Sequence, residues 1–338
     1  MPRLRRADLD APGITRRRRG RGFSYTGPTG RPVGAKVRER IDALAIPPAW
    51  KDVWISPDEL THIQAIGTDD AGRRQYIYHP KWSQKQAEAK YDRVVNMARR
   101  LPSVRQQVTR DLRSDGLTSD RVLAGTLRML DTGAFRTGGE AYVEEHETHG
   151  VATLLREHVS IKGTAIRFTF VAKGGIDRDV TLRDKDLAEL IKALRRARTG
   201  SDRLFCYRPA AGGDWREVHA EDINARFKEL AGEECSVKDL RTWQATVRAA
   251  LYLAGADEPG SDTERRRMLR EVMDRVADDL GNTPTVARGS YVDPRVVSAQ
   301  ESGRTISRAI DRVGSDNLDR PRVRAQLERA VIRLLSTT

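Results

Sequence analysis

The most regular pattern of hydrophobic and polar positions lies between residues 165 and 173. Every second residue there is apolar, namely Ile166, Phe168, Phe170 and Ala172, and the positions between them are Arg167, Thr169, Val171 and Lys173. This period of two predicts a β-strand with one buried face. Gly174-Gly175 predicts a turn, and residues 180–182 predict the returning strand. Lys173 is therefore expected at the tip of a β-hairpin.

Helical spacing governs most of the chain around this hairpin. Ser236 and Asp239 form a capping-box pattern before a predicted helix, which Gly255 is suited to end. Gly281 is placed to end the following helix, and residues 281–294 are expected to form a loop between helices. Apolar positions beyond about residue 304 again have helical spacing and predict packing; they are Ile306, Ile310, Val313, Val331, Leu334 and Leu335.

The chain divides by composition into three regions. Residues 1–22 contain the run RRRRGR and almost no apolar side chains, which predicts a flexible, disordered basic arm. In residues 23–90, short β-type runs alternate with prolines and turn sequences and predict a small, mainly β domain. Residues 91–338 predict a larger, mostly α-helical domain that contains the hairpin. The expected fold class is therefore α+β.

The net charge narrows the class of partner. The 338 residues include 61 Lys and Arg against 48 Asp and Glu, which gives a formal net charge of +13. Such an excess favours a polyanionic partner, and nucleic acid is the most common one. Ribosomal proteins and membrane-surface binders share this charge balance, so it indicates a class of partner and not an activity.

Cysteine usage and hydropathy argue against several other classes. Cys206 and Cys235 belong to no CxxC motif and have no histidine pair nearby, so we expect two reduced thiols and neither a disulfide framework nor a zinc site. No apolar stretch is long enough to span a bilayer, and no apolar segment follows the basic N-terminus as it would in a secretory signal. A cytoplasmic protein without membrane contact is expected.

Five short segments resemble, in family order, the active-site segments of the poxvirus and bacterial type IB DNA topoisomerases. They are FRTGG at 135–139, VAKGG at 171–175, KDLRTW at 238–243, GNTP at 281–284 and SYVDP at 290–294. Asn282 and Tyr291 lie nine residues apart, and ETHG at 147–150 also resembles the family. Each segment alone is a weak signal, but five in order across most of the chain form a specific one.

The resemblance implies a role for one residue in each segment. A phosphodiester is a poor electrophile, so attack on it needs cations aimed at the non-bridging oxygens. The resemblance gives this role to Arg136 and Arg241, with a neutral hydrogen bond from Asn282. Tyr291 would be the nucleophile, in an ionised form that the guanidinium groups favour. Lys173 would be the general acid that protonates the leaving 5′-oxygen. Many viral and nuclear members have histidine where this chain has Asn282, so acid–base work is not expected there.

The same resemblance implies the fold and the reaction. The larger domain would be a catalytic domain of the tyrosine recombinase/type IB topoisomerase class. The enzyme would cleave one strand of duplex DNA through a 3′-phosphotyrosyl bond at Tyr291, allow strand rotation and religate the strand. It would need no ATP, metal or other cofactor, and the sequence contains no GxxxxGKS/T loop. A monomer clamped round one duplex is expected, in a bacterial cytoplasm (the nucleoid).

Further DNA contacts rest on looser matches. Residues 69–72 (DDAG) predict a turn, and the run GRRQYIY at 72–78 resembles the family strand that lies in the DNA major groove. An ordinary half-buried strand accounts for this run equally well. The DNA-contacting residues implied by the resemblance, through base edges or backbone, are Gln75, Tyr76, Tyr78 and Tyr142.

Two other functions stay open at this point. A tyrosine site-specific recombinase shares the catalytic domain, but recombinases usually have a histidine where this chain has Lys238, and a helical rather than a β N-terminal domain. A non-catalytic DNA-binding protein would carry the same charge, but a degenerate homologue should have lost at least one catalytic residue. Each of the five candidate residues alone is better explained as structural, so the functional interpretation depends on the whole set.

Overall fold

A computed structural model of the protein describes residues 3–139, 147–209, 212–314 and 316–337. The chain divides into two compact units, residues 1–90 and residues 91–338. The first contains a small sheet, and the second is mostly helical with small sheets. Within the described residues, no helix is both long and apolar enough to cross a membrane.

The first unit is built on an antiparallel five-stranded sheet in the order β2-β1-β3-β4-β5. The predicted turn at residues 69–72 connects the last two strands, as expected. Its core consists of Ile14, Tyr25, Ile41, Val53, Ile55 and Ala65. The elements are β1 (Ile14–Arg19), β2 (Gly22–Thr26), α1 (Ala35–Ala43), β3 (Lys51–Ile55), β4 (Ile63–Thr68) and β5 (Arg74–Tyr78).

The prediction of a disordered arm over residues 1–22 is wrong for the segment that forms β1. Ile14 is buried in the core, and the Arg16 guanidinium donates to main-chain carbonyls, including that of Trp50 at 2.6 Å. Arg16 also lies over the ring of Phe23, with its Cζ 4.2 Å from the ring centroid. One buried isoleucine and one arginine that donates to several carbonyls therefore hold this strand in the first unit. The composition of residues 1–22 alone does not reveal these contacts.

The second unit has one continuous apolar core. Met97, Leu127, Leu190, Trp243 and Leu327, from five different helices, are all buried in it. The helices from residue 80 onward are α2 (Pro80–Leu112), α3 (Ser119–Leu130), α4 (Lys185–Arg196), α5 (Ala220–Ala231), α6 (Val237–Ala254), α7 (Asp262–Leu280), α8 (Pro284–Val286), α9 (Pro294–Glu301), α10 (Ser307–Val313) and α11 (Pro321–Ser336), with 3₁₀ turns at Val151–Thr153 and Arg156–His158.

The strands of this unit form a three-stranded sheet, β6-β7-β8, and a two-stranded pair, β9 with β10. The predicted hairpin is confirmed: β7 and β8 are antiparallel, and the Gly174-Gly175 turn follows Lys173. The alternate residues from Ile166 to Ala172 are buried, which is the expected inner face. The strands are β6 (Val159–Lys162), β7 (Ala165–Ala172), β8 (Ile176–Arg183), β9 (Cys206–Tyr207) and β10 (Arg216–Glu217).

The predicted helix ends are also confirmed. The Asp239 carboxylate accepts from the Ser236 N–H at 2.8 Å at the start of α6, and Gly255 caps its end. Gly281 ends α7 with a left-handed backbone, φ +60°. Such a residue closes a helix because its amide reaches back to carbonyls of the last turn, and a side chain there would be strained.

Residues 281–294 were expected to form a loop, and this expectation is wrong. After α8, residues 287–291 form a π-helical turn in which the Val292 N–H donates to the Ala287 carbonyl at 3.0 Å. Tyr291 is the last residue of this turn. A five-residue helical turn is too short to give a periodic signal, and π-turns occur frequently at functional sites.

Candidate active site

Arg136 lies in an extended segment that is packed against residues 147–150. The Arg136 carbonyl accepts from the Val151 N–H at 2.9 Å. At Gly150, a Cβ would lie 2.4 Å from the Gly138 nitrogen and 2.7 Å from the Arg136 carbonyl oxygen. Gly138 itself has φ +83°. Only glycine permits this approach of two backbones, so the two glycine-containing motifs fix the course of the chain at Arg136.

Asn282 contacts Arg136 directly. The Arg136 Nη2 donates to Asn282 Oδ1 at 2.5 Å. The Asn282 backbone is fixed in turn, since its N–H donates to the Ala277 carbonyl at the end of α7 at 2.8 Å. Because Oδ1 accepts from the arginine, the side-chain nitrogen Nδ2 is the remaining donor. This nitrogen is buried and has no hydrogen-bond partner among the described residues.

Arg241 on α6 is buried behind the same segments. Its Nη1 donates to the Gly133 carbonyl at 2.9 Å and to the Phe135 carbonyl at 3.3 Å. Its Nη2 donates to the Leu280 carbonyl, two residues before Asn282. The guanidinium thereby attaches two segments to α6: the one that leads to Arg136 and the one that leads to Asn282. Its Nε is buried and lacks a hydrogen-bond partner within the part of the chain that the structure describes.

Tyr291 faces this cluster from the π-helical turn. The Arg241 Cζ lies 5.6 Å from the centroid of the Tyr291 ring. Thr246, also on α6, holds the backbone beside the tyrosine, because its Oγ1 accepts from the Asp293 N–H at 3.1 Å. The single proton of this hydroxyl lies between the Thr242 carbonyl at 2.9 Å and the Tyr291 carbonyl at 3.4 Å. One helix therefore positions both the second arginine and the tyrosine.

The cluster brings several positively charged side chains together where they are partly removed from water. Burial, and then the charge of Arg136, lowers the pKa of Arg241, and burial also lowers the pKa of Arg136. Tyr291 opposes both shifts, whereas Arg178 reinforces them. Even so, the pKa of Arg241 stays at about 9, and a guanidinium keeps its proton in proteins, so both arginines remain charged at neutral pH. An anion that enters the cluster would relieve their mutual repulsion.

Lys173 lies on the same unit at the tip of the β7–β8 hairpin and is exposed. Close to its turn, this hairpin is packed against the Arg136 segment, since the ring of Phe170 stacks on that of Phe135 with centroids 6.0 Å apart. The Val171 carbonyl also accepts from the His149 N–H at 2.8 Å. The hairpin that carries Lys173 is thus attached to the segments that fix Arg136.

The residues expected to contact DNA from the first unit lie on two faces of β5. Tyr76 and Tyr78 are exposed and stacked, with ring centroids 6.0 Å apart. Gln75 alternates with them on the strand and is half-buried, and its Nε2 donates to Asp69 Oδ2 at 2.9 Å. Tyr142, the fourth predicted contact, lies outside the described residues.

Sequence reasoning missed three residues of the site: Arg178, Thr246 and Asp293. Asp293 is buried and accepts from the Arg295 N–H at the start of α9, at 3.0 Å. The Asp293-Pro294 pair is a recognisable helix start, so this residue had a signal in the sequence. Thr246 and Arg178 had none, since each acts through segments far away along the chain.

The comparisons with known proteins identify the family of this chain. Residues 79–315 match the family described as the catalytic core of eukaryotic DNA topoisomerase I, and residues 22–69 match the N-terminal domain of bacterial DNA topoisomerase IB. The chain belongs to the type IB DNA topoisomerase family. It is similar to DNA topoisomerase 1B of Acanthamoeba polyphaga mimivirus, with 31% identity over 267 residues that cover 77% of this chain and 79% of the viral protein.

The chain is also similar to topoisomerases of lower identity. DNA topoisomerase 1B of Vaccinia virus (strain Copenhagen) is 22% identical over 243 residues, which cover 70% of this chain and 71% of the relative. DNA topoisomerase 1 of Mycosarcoma maydis is 22% identical over 267 residues, but these cover only 26% of that longer protein. All five candidate catalytic residues of this topoisomerase lie inside the catalytic-core match, whereas residues 75–78 lie between the two matched ranges.

Proposed function

We propose that this enzyme relaxes supercoiled duplex DNA by cleaving one strand through a 3′-phosphotyrosyl intermediate at Tyr291. The observation that carries the proposal is the convergence of Arg136, Arg241 and Asn282 beside that tyrosine. Two buried donors of this cluster, Arg241 Nε and Asn282 Nδ2, lack partners among the described residues. Buried donors that stay unpaired are costly, and a phosphate with its non-bridging oxygens is a suitable acceptor for both.

The arginines would hold the scissile phosphate and stabilise the charge on its non-bridging oxygens in the transition state. A forked guanidinium suits this task because its donors match two oxygens at once. Asn282 adds a neutral donor whose orientation is set by its hydrogen bond to Arg136. An amide cannot take up or release a proton at neutral pH, so the acid–base steps belong to other groups.

The covalent step then needs a nucleophile and an acid. The Tyr291 hydroxyl loses its proton to solvent, and the phenolate oxygen forms a bond to phosphorus while the bond from phosphorus to the 5′-oxygen breaks. Lys173 in its ammonium form gives a proton to that 5′-oxygen, which leaves as a hydroxyl. For religation, the 5′-hydroxyl attacks the phosphotyrosine, and the neutral lysine accepts its proton.

Rotation of the cleaved strand between these two steps would release supercoils. The phosphotyrosine retains the energy of the phosphodiester, so the cycle would require no ATP, and the two arginines would supply the positive charge that a metal ion brings elsewhere. The first unit would add DNA contacts through the exposed pair Tyr76 and Tyr78, whose rings can stack on bases or contact the backbone, and through the exposed arginines of β1. We propose that the enzyme acts as a monomer clamped round one duplex.

A plasmid relaxation assay without ATP and with EDTA tests this proposal. The wild-type enzyme should relax the plasmid and form a covalent protein–DNA adduct in denaturant, and Tyr291→Phe should do neither while it still binds DNA. Tyr207→Phe is a matched control, because Tyr207 lies on β9 outside all the site segments and should keep full activity. Relaxation by Tyr291→Phe at the wild-type rate would refute the proposal.

A further inference from the structure

We infer that Arg178 is a positioning residue, which holds the β7–β8 hairpin so that Lys173 can protonate the leaving 5′-oxygen. This inference rests on the function proposed above. Arg178 lies on β8, where it pairs with Phe170 of β7 in the hairpin register. It belongs to none of the segments by which the sequence resembles its family.

The Arg178 guanidinium links three segments of the site by hydrogen bonds. Its Nη2 donates to the Ala134 carbonyl at 3.3 Å, two residues before Arg136. In the last turn of α7, Nη1 donates to the Asp278 carbonyl at 3.4 Å and Nη2 to the Asp279 carbonyl at 3.5 Å. The Asp278 carbonyl also accepts from the Gly281 N–H at 3.1 Å, and a cation is favourable beside these terminal carbonyls because of the helix dipole.

Gly281 shows how closely this guanidinium approaches the segment that carries Asn282. A Cβ at Gly281 would lie 2.8 Å from Arg178 Nη1 and 3.1 Å from its Cζ. The glycine therefore has a second reason for its identity beside its left-handed backbone. The arginine occupies the space that a side chain at this helix end would need.

The position of Arg178 in the hairpin explains why it would affect Lys173. On β7, buried aromatic residues such as Phe170 attach the strand to the core. Within the described strand β8, the residues nearest the turn, Ile176, Asp177 and Asp179, are exposed, and Arg178 between them is half-buried. Its hydrogen bonds are therefore the inward attachment of β8 close to the turn that follows Lys173. Without them, the tip would sample orientations in which the ammonium group misses the 5′-oxygen.

The charge of Arg178 offers a second mechanism, because this charge acts on Arg136 and Arg241. A purely electrostatic role would change binding of the phosphate and not the transfer of the proton. The two mechanisms differ in how they respond to the leaving group. A 5′-thiol has a pKa near that of cysteine, about 8.5, so a 5′-thiolate can leave without a proton, whereas a 5′-alkoxide cannot.

The test compares single-turnover cleavage of DNA that has either an ordinary 5′-oxygen or a bridging 5′-sulfur at the scissile phosphate. With sulfur, the phenolate forms its bond to phosphorus, and the bond from phosphorus to sulfur breaks to release a thiolate. On ordinary DNA, Arg178→Ala should slow cleavage by about 10- to 100-fold, part of the 10²- to 10⁴-fold that a general acid contributes. On sulfur DNA, its rate should return to within about threefold of the wild-type rate, as Lys173→Ala should also do.

Three controls make the outcome specific. Arg167→Ala removes another arginine from the same hairpin, whose exposed ion pair with Asp179 stays within the hairpin, and it should change neither rate by more than about twofold. Arg178→Lys keeps the charge but loses the forked donors, and it should retain a defect on ordinary DNA that sulfur removes. Thermal melting of each variant verifies that it is folded at the assay temperature.

The possible results separate the inference from the function on which it rests. An equal defect of Arg178→Ala on both substrates, or wild-type rates for Arg178→Lys, would overturn the positioning role while the proposed function stands. Failure of sulfur to rescue Lys173→Ala would overturn the role of the lysine and with it that of Arg178. Absence of any adduct with the wild-type enzyme on both substrates would overturn the proposed function itself.

Discussion

Removal of the carboxylate at Asp131 should destabilise the second unit more than any exposed substitution. Asp131 accepts from Arg105 Nε at 2.7 Å and Nη2 at 3.1 Å, and from Arg324 Nη2 at 2.7 Å. Glu328 on α11 accepts from the same two arginines and from the indole of Trp243. The four charged groups sum to zero, so the Asp131→Asn variant leaves one net positive charge in a mostly buried place.

The size of the effect follows from this arrangement. Removal of one partner from a buried ion pair costs about 3 to 5 kcal/mol, because the other charge stays buried without compensation. Arg105 and Arg324 retain side-chain exposures of 23% and 16%, so water screens part of the loss. Glu328 also continues to pair with both arginines. We therefore expect the lower end of the range, about 3 kcal/mol in the free energy of unfolding.

Urea denaturation of the full-length variants, followed by fluorescence, measures this difference. Glu271→Gln is the matched control on the surface of α7, since Glu271 pairs with Arg267 at 2.9 Å while their side chains are 61% and 80% exposed. It should lose less than about 0.5 kcal/mol. A loss below about 1 kcal/mol for Asp131→Asn would refute the reasoning, because it would mean that water or Glu328 alone compensates the arginines.

The same network should make stability sensitive to acid. Burial alone would raise the pKa of Asp131, but the charges and hydrogen bonds of Arg105 and Arg324 outweigh it and hold the pKa below its ordinary value of 3.8. A carboxyl group whose pKa is lower in the folded state stabilises the protein fully above the unfolded pKa, and this contribution is lost as the pH falls through the folded pKa. Below about pH 4, the wild type should lose stability more steeply than Asp131→Asn.

Two further predictions concern the ETHG motif at 147–150 and the basic strand β1. Gly150→Ala should lower the free energy of unfolding by about 1 to 3 kcal/mol, since the new methyl group would collide with the backbones of Gly138 and Arg136; an unchanged urea midpoint would contradict the close approach. Replacement of the exposed arginines at positions 17–19 by glutamine should weaken DNA binding and make its salt dependence shallower by about one per arginine that contacts a phosphate. An unchanged slope in a binding titration would exclude β1 from the DNA contact.

The elements that the sequence predicted correctly are those whose causes are local. The β7–β8 hairpin follows from alternation and a Gly-Gly turn, and the ends of α6 and α7 follow from caps at fixed offsets. In each case, residues within a few positions of one another determine the backbone. The five candidate catalytic residues were found through motif resemblance, which depends on residue identity and not on contacts.

The features that the sequence did not predict depend on contacts between residues far apart along the chain. Arg16 makes β1 possible because carbonyls about thirty residues away accept its hydrogen bonds. Arg178 joins a hairpin to a helix end about a hundred residues further along the chain. The π-helical turn at Tyr291 is supported by Thr246 on α6, at a sequence separation of 45. A linear pattern cannot report such contacts, because they exist only once the segments are folded together.

The arginines of the candidate site differ in their hydrogen-bond partners from the structural arginines of the same unit. Arg105 and Arg324 pair with carboxylates, which neutralise them. Within the described residues, Arg136, Arg178 and Arg241 form no ion pair; they are held by an amide oxygen and by main-chain carbonyls. A carbonyl fixes the geometry of a guanidinium without cancelling its charge, whereas a carboxylate would compete with an incoming phosphate. The mutual repulsion that results is the cost of a site prepared for an anion, and the phosphate of the DNA would offset it on binding.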